Sequence, residues 1–183
     1  MPPLYSIFKR IVWGLALMGA FSASAIGFTS EQLRAPFLLY IVGYTQFSEA
    51  AVQTGPLRFC FFEGEDFPHA QIFRQATGKK VNGRDISLYT LSDISDIPKV
   101  DDEQPCHLLF IGEEQESDEV YALLEQLNQH TISVGESPGF IEHGGMMAIY
   151  PLPSKMKIFF NREAYQNTQL KFSSALLKRV NFR

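Results

Sequence analysis

Apolar residues gather in short runs along this chain, and the spacing within the runs predicts strands. Leu57–Phe62 (LRFCFF) and Cys106–Ile111 (CHLLFI) are apolar at nearly every position, as in strands that are covered on both faces of a sheet. Ile86–Leu91 alternates between apolar and polar residues, and Thr131–Val134 is a further β-rich run. These four segments predict the central strands of one sheet.

The stretch that follows Val134 is punctuated by glycine and proline. Gly135–Gly145 predicts a tight turn, because its closing glycine pair allows the backbone a positive φ. Two strand-like runs come next, Met146–Pro151 and Met156–Asn161, and the Pro-Leu-Pro-Ser segment between them favours a turn. The pattern therefore predicts a β-hairpin near the C-terminus.

Helical periodicity separates most of the strands. Ser30 is a candidate N-cap for a strongly apolar helix, although Pro36 favours a start near Ala35 with the proline at the first helical position. The other predicted helices are Pro68–Thr77, a helix after the acidic residues 113–119 with Val120, Leu123, Leu124 and Leu127 on its inner face, and a closing amphipathic helix, Ser173–Val180.

The predicted order of elements is α-β-α-β-β-α-β-β-β-α. Alternating strands and helices favour a parallel sheet with helices on both faces. The sequence therefore predicts an α/β fold: a three-layer α/β/α sandwich with a mixed, mostly parallel sheet and an antiparallel C-terminal hairpin at its edge.

The first 25 residues have a different pattern. Lys9 and Arg10 precede the apolar run Ile11–Phe21, and Ala23–Ala25 has the small-residue pattern of a cleavage site. The run is shorter than the ~20 residues that cross a bilayer. Residues 1–25 are therefore predicted to be a cleaved signal peptide and residues 26–183 a single exported domain, with an uncleaved membrane anchor as the alternative.

The two cysteines, Cys60 and Cys106, both fall in the predicted domain. A cysteine pair in an oxidising compartment favours a disulfide, and two separate buried thiols are the alternative. Two cysteines alone do not make a zinc site, and the four histidines show no H-x-x-x-H spacing. No metal and no cofactor is expected.

Charge and composition narrow the classes of partner. The 183-residue chain has 45% hydrophobic residues, 20% charged residues and a net charge of −4, which gives no electrostatic reason to expect nucleic acid. Basic residues nevertheless gather toward the C-terminus: Lys155, Lys157, Arg162, Lys171, Lys178, Arg179 and Arg183. They indicate either a solvated face or a patch for an acidic partner.

The sharpest enzyme-like motif is Gly135–Gly139, which fits G-x-S-x-G after a strand. In a nucleophile elbow the residue after the serine donates its backbone N–H to the oxyanion hole, but Pro138 has no N–H. No Asp follows Ser137, so no catalytic residue is predicted. His143, beside two glycines, is instead a candidate partner contact, as are Phe47 and Phe140, which flank loops and are expected to be exposed.

Several short motifs, in order, resemble those of the YfiR family of exported bacterial proteins. They are Leu57–Phe62 with Cys60, Cys106–Gly112, Val134–Glu136 with Phe140, Gly144–Met146, Lys157–Asn161 and Leu170–Leu177. The resemblance implies a periplasmic α/β protein without enzymatic activity, in which Cys60 and Cys106 occupy the family's disulfide positions.

The same resemblance implies a function and partners. YfiR-like proteins bind the periplasmic sensor domain of an inner-membrane diguanylate cyclase and hold it inactive, which lowers cyclic di-GMP and restrains biofilm formation. Members tend to form homodimers and can also contact an outer-membrane lipoprotein. The chain departs from the family in lacking a second cysteine pair and in having Tyr44–Ser48 where many members have Trp-Pro.

Two functional hypotheses follow from the sequence. The first is a periplasmic regulator that binds and represses a diguanylate cyclase. The alternative is a periplasmic small-ligand sensor, because an open α/β sheet offers a crevice at the carboxyl ends of its strands.

Overall fold

A computed structural model describes residues 27–47, 55–75, 78, 80–98 and 105–183 of the chain. The predicted signal peptide lies outside these residues. The strands of the described part are, in chain order, β1 (Thr45–Gln46), β2 (Leu57–Phe62), β3 (Lys80–Val81), β4 (Arg84–Thr90), β5 (Leu108–Ile111), β6 (Ile132–Gly135), β7 (Met147–Leu152), β8 (Lys155–Phe160), β9 (Lys171–Phe172) and β10 (Val180–Phe182).

Helices connect most of these strands. Within the described residues the α-helices are α1 (Ser30–Gly43), α2 (Pro68–Gln75), α3 (Asp118–Leu127), α4 (Pro138–Glu142), α5 (Arg162–Asn167) and α6 (Ser174–Leu177). Two 3-10 turns, Ile94–Asp96 and Glu113–Gln115, follow β4 and β5.

Eight of the strands form one mixed sheet in the order β10-β8-β7-β6-β5-β2-β4-β3. Neighbours from β4 to β7 are all parallel, and β8 pairs antiparallel with β7. The five parallel strands, renumbered along the chain, have the order 2-1-3-4-5 of a flavodoxin-like doubly wound sheet. The predicted mostly parallel, mixed sheet is confirmed.

Two apolar clusters cover the two faces of this sheet. Phe59 and Phe61 of β2 belong to the cluster under α1 and α2, whereas Cys60 and Phe62 belong to the cluster under α3 and α4. This alternation follows from the two-residue period of a strand, which sends successive side chains to opposite faces. The three-layer arrangement is therefore confirmed, and LRFCFF is apolar throughout because both of its faces are covered.

The hairpin is present as β7 and β8, but the prediction that it forms the edge of the sheet is wrong. β10 pairs in parallel with β8 and becomes the edge strand. The predicted helix Ser173–Val180 is correspondingly reduced to Ser174–Leu177; Lys178 and Arg179 then form a turn, and the chain is extended from Val180. The ring of Phe182 stacks on that of Phe160 at 5.4 Å. The last residues make this apolar contact because they form a strand, and a longer helix would lose it.

The start of α1 also differs from the prediction. The helix begins at Ser30 and runs through Pro36, with Thr29 rather than Ser30 as its N-cap. The Thr29 side chain accepts from the backbone N–H of Gln32, and the Gln32 side chain accepts from that of Thr29, which satisfies two otherwise unpaired donors. Pro36 is exposed, so the helix carbonyl that the proline leaves without a donor lies on the solvent side.

The predicted disulfide between Cys60 and Cys106 is present and buried beneath α3 and α4. It joins β2 to the residues that lead into β5, its neighbour in the sheet. The Cα atoms are 6.0 Å apart and the bond closes a loop of 46 positions.

We expect the double substitution Cys60→Ala and Cys106→Ala to lower the free energy of unfolding by about 4 kcal/mol, because the unfolded chain loses its cross-link. Urea unfolding measures the loss, and reduction of the wild-type protein should give a similar one. The double variant itself should be insensitive to reductant. Equal stability of the oxidised and reduced wild-type proteins would contradict the prediction.

Candidate functional site

The parallel strands end at one edge of the sheet, and charged residues follow two of them directly. Glu63 comes after β2, and Glu136 comes after β6. β4, the next parallel strand along the chain, lies on one side of β2 in the sheet, and β5 lies on the other side of β2. The strand order therefore reverses between β2 and β5, which is the topological switch point. In doubly wound proteins, this edge is where ligands bind.

Arg34 of α1 reaches into this edge and is 3% exposed. Its Nη1 lies 2.6 Å from Oε2 of Glu136 and 2.9 Å from Nε2 of His69, and its Nε donates to the carbonyl of Ile149 at 2.8 Å. One buried guanidinium therefore contacts groups from β7, α2 and the end of β6.

His69 is the next member of this network, and its contacts define its tautomer. A guanidinium only donates hydrogen bonds, so Nε2 of His69 accepts from Arg34. The ring proton is then on Nδ1, which donates to Oε2 of Glu63 at 2.6 Å. The ring also lies 4.2 Å from that of Phe110 in β5, so His69 is held on its polar edges and on one face.

Glu63 completes the network by capping α2. Its two carboxylate oxygens accept from the backbone N–H groups of His69 at 3.3 Å and Ala70 at 3.1 Å. A negative charge at a helix N-terminus is favourable because it meets the unpaired N–H groups and the positive end of the dipole. We call Arg34, Glu63, His69 and Glu136 the charge clamp; it fixes α1 and α2 to the carboxyl edge of the sheet.

The charge clamp occupies the edge that the sequence suggested as a ligand crevice. Glu63, His69 and Arg34 are each at most 5% exposed, and the hydrogen bonds described above join them to one another. This arrangement favours a structural role for the switch point. The sequence contains part of this signal. Glu63 stands directly after a predicted strand and Glu136 two positions after another, but nothing local marks Arg34 or His69 as their partners.

Replacing Arg34 by Met tests the clamp. We expect a loss of about 3–5 kcal/mol in the free energy of unfolding, because the substitution leaves buried polar partners without their cation. Lys80→Met is the matched control: Lys80 pairs with Asp85 at 3.1 Å, but the two side chains are 56% and 69% exposed, so the expected loss is below about 1 kcal/mol. Equal losses in the two variants, measured by chemical unfolding, would refute a stabilising clamp.

The G-x-S-x-G segment forms the start of a helix, so the prediction of a tight turn over Gly135–Gly145 is wrong in this respect. Ser137 is the N-cap of α4, where its Oγ accepts from the backbone N–H of Phe140 at 3.1 Å and Pro138 occupies the first turn. The hydroxyl donates to the carboxylate of Glu116 at 2.7 Å. A serine with these partners serves as a cap, in agreement with the sequence argument against a nucleophile elbow.

Two of the three predicted contact residues are not exposed. Phe140 is 0% exposed and Phe47 is 8% exposed, so the expectation that they form exposed anchors is wrong. The ring of Phe47 lies edge-on to that of His107 at 4.8 Å. Gly135 and Gly145 flank the ring of Phe140, and a Cβ on either glycine would collide with it. These glycines therefore make room for a core side chain.

His143 is exposed, as predicted. Its ring stacks on Tyr121 at 4.4 Å with an interplanar angle of 8°, and its Nδ1 donates to the carbonyl of Gly139 at 2.8 Å. The Tyr121 hydroxyl donates to Glu116; burial, followed by this hydrogen bond, raises the pKa of Tyr121 to about 12. A role for His143 in partner contact stays a prediction.

The packing around Phe140 gives a second test. Gly135→Ala should lower the free energy of unfolding by about 1–3 kcal/mol, because the added methyl overpacks the core against the ring. In the control, Gly139→Ala, the new Cβ meets its nearest atom at an ordinary 3.5 Å and lies within α4, so no loss is expected. Thermal and urea unfolding of both variants would measure the difference, and indistinguishable stabilities would contradict this account of the motif.

A surface groove of about 490 Å³ lies between α1, β8 and the turn after α6. It is lined by Pro36, Phe37, Tyr40, Lys155, Met156, Lys157, Ile158, Lys178 and Arg179. We call it the α1 groove. Four of the basic residues that the sequence placed near the C-terminus meet here, whereas Arg162, Lys171 and Arg183 lie outside it.

A doubly wound α/β protein emerges from these features, stabilised by a disulfide and a charge clamp and carrying a cationic, partly apolar groove. In the described residues no three or more histidine, cysteine or acidic side chains are grouped to hold a metal ion. No helix among those residues has the length and apolar character needed to cross a membrane. The chain belongs to the YfiR/HmsC-like family, whose model matches residues 31–179.

The family match confirms the resemblance seen in the sequence. A search of curated proteins finds no match. A conserved domain protein from Vibrio cholerae O1 biovar El Tor strain N16961 is similar in structure, with a TM-score of 0.45 and 10% identity over 69% of this chain and 54% of that one. The chain thus spans about half the length of that protein.

Proposed function

We propose that this protein represses an inner-membrane diguanylate cyclase by binding the cyclase's periplasmic sensor domain. The observation that supports this proposal most strongly is the family match over residues 31–179. Binding in the periplasm lowers the output of the cyclase on the other side of the membrane, and release of the repressor raises cyclic di-GMP and promotes biofilm. Residues 1–25 direct export and are removed.

Two features of the structure support a periplasmic binding role. The Cys60–Cys106 disulfide suits an oxidising compartment. The G-x-S-x-G serine caps a helix and bonds to Glu116, so the one enzyme-like motif in the sequence has a structural explanation. Recognition of another protein then rests on exposed surface, and α1 contributes the exposed apolar side chains of Leu33 and of its C-cap residue Tyr44.

Deleting the gene should raise cellular cyclic di-GMP, and a plasmid-borne copy should restore the wild-type level. In a purified system, residues 26–183 should bind the periplasmic domain of a membrane diguanylate cyclase from the same organism. Lys80→Met, a surface change at the far edge of the sheet, should behave as wild type in both assays. An unchanged cyclic di-GMP level together with no binding to any such domain would overturn the proposal.

A further inference from the structure

The α1 groove combines an apolar floor with a group of positive charges. Phe37, Tyr40, Met156 and Ile158 supply ring and aliphatic surface, and Lys155, Lys157, Lys178 and Arg179 supply four cations. Among the residues that the structure describes, no carboxylate lines the groove, and none of the ion pairs involves these four cations.

Apolar surface continues along α1 beyond the groove. Leu33, Phe37, Tyr40 and Tyr44 follow one another at intervals of four, three and four residues, which places them on one face of a helix. Leu33 and Tyr44 at the two ends are 46% and 42% exposed. The eleven intervals from Leu33 to Tyr44, the C-cap residue, cover about 16 Å along the helix axis, which is the length of about five residues of an extended chain.

We infer that the α1 groove is a docking site for an acidic segment of a protein partner that carries at least one large apolar side chain. The inference rests on the proposed function for the identity of that partner. Carboxylates of the segment meet the four cations, and the apolar side chain lies on Phe37 and Met156. The protein as a whole has a net charge of −4, so the α1 groove is a local region of opposite sign. An acidic segment is therefore attracted to the groove and repelled by the net charge of the rest of the protein.

The shape and the length of this surface favour a protein segment over other occupants. A membrane surface needs protruding apolar groups, whereas this floor is concave. A small molecule would fill the groove but leave the rest of the α1 stripe uncovered. A second copy of the chain offers the acidic residues 113–119, but these letters, EEQESDE, include no apolar anchor.

The test compares two charge reversals of equal size. Lys178→Glu with Arg179→Glu changes the groove, and Arg74→Glu with Lys80→Glu changes exposed positions on α2 and β3, toward the other edge of the sheet. The groove variant should bind the cyclase's periplasmic domain at least tenfold more weakly, and the control variant within about twofold of wild type. Affinity of the wild type should fall as salt rises from 50 to 500 mM, since salt screens exposed charges.

A further variant and a peptide separate the two proposals. Phe37→Ala, checked for an intact fold by thermal unfolding, should weaken binding without changing its salt dependence. A labelled acidic peptide that contains one Trp should bind the wild-type protein. The same peptide with Lys in place of each Glu should not bind the wild type, and the acidic peptide should not bind the groove variant. These peptide measurements test the α1 groove without any cyclase.

The outcomes are distinct. If the wild type binds the cyclase domain and the groove variant binds it equally well, the docking inference fails and the proposed function stands. If the wild type binds no cyclase domain, the proposed function fails, and the peptide result alone decides for or against the groove. A groove-dependent change in oligomeric state, or groove-dependent sedimentation with phosphatidylglycerol vesicles, would assign the surface to a second copy or to a membrane and overturn the inference.

Discussion

The burial of one guanidinium determines how the N-terminal helix sits on the sheet. α1 carries apolar residues on all sides: Leu38, Ile41 and Val42 are fully buried, while Leu33 and Tyr44 remain exposed. Hydrophobic burial alone would not distinguish one rotation of such a helix from another. Arg34 does, because its charge is tolerated in the interior only where Glu136, His69 and the Ile149 carbonyl receive it.

This constraint spreads to the rest of the fold. Glu63 caps α2 and accepts a hydrogen bond from Nδ1 of His69. His69 in turn accepts a hydrogen bond from Arg34, and Arg34 pairs with Glu136, the residue that follows β6. The carboxyl edge of the sheet, which in many doubly wound proteins receives a ligand, is here bridged by buried side chains. The face of α1 turned away from the clamp is consequently the one left to form the α1 groove.

The sequence predicted the parts of the fold whose signals are local. LRFCFF and CHLLFI read as buried strands because apolar residues on both faces leave a continuous run, and the strand–helix alternation then gave the layers. Contacts between distant residues were not predictable in the same way: Arg34 and Ile149 are separated by 115 positions. The burial of Phe140 depends on Gly135 and Gly145, which make room for its ring; in the sequence, glycines at these positions are equally typical of a turn. The edge strand Val180–Phe182 was missed because three residues show no period.

Four of the basic C-terminal residues come together only in the folded protein. In the sequence they are dispersed over 155–183 and resemble a solvated face. The fold brings Lys155 and Lys157 of β8 to the same groove as Lys178 and Arg179. Four like charges around an apolar floor repel one another and gain no ion pair with described residues. Folding alone does not favour that grouping, whereas an acidic partner that lays an apolar side chain on the floor would relieve the repulsion and bury the exposed stripe of α1.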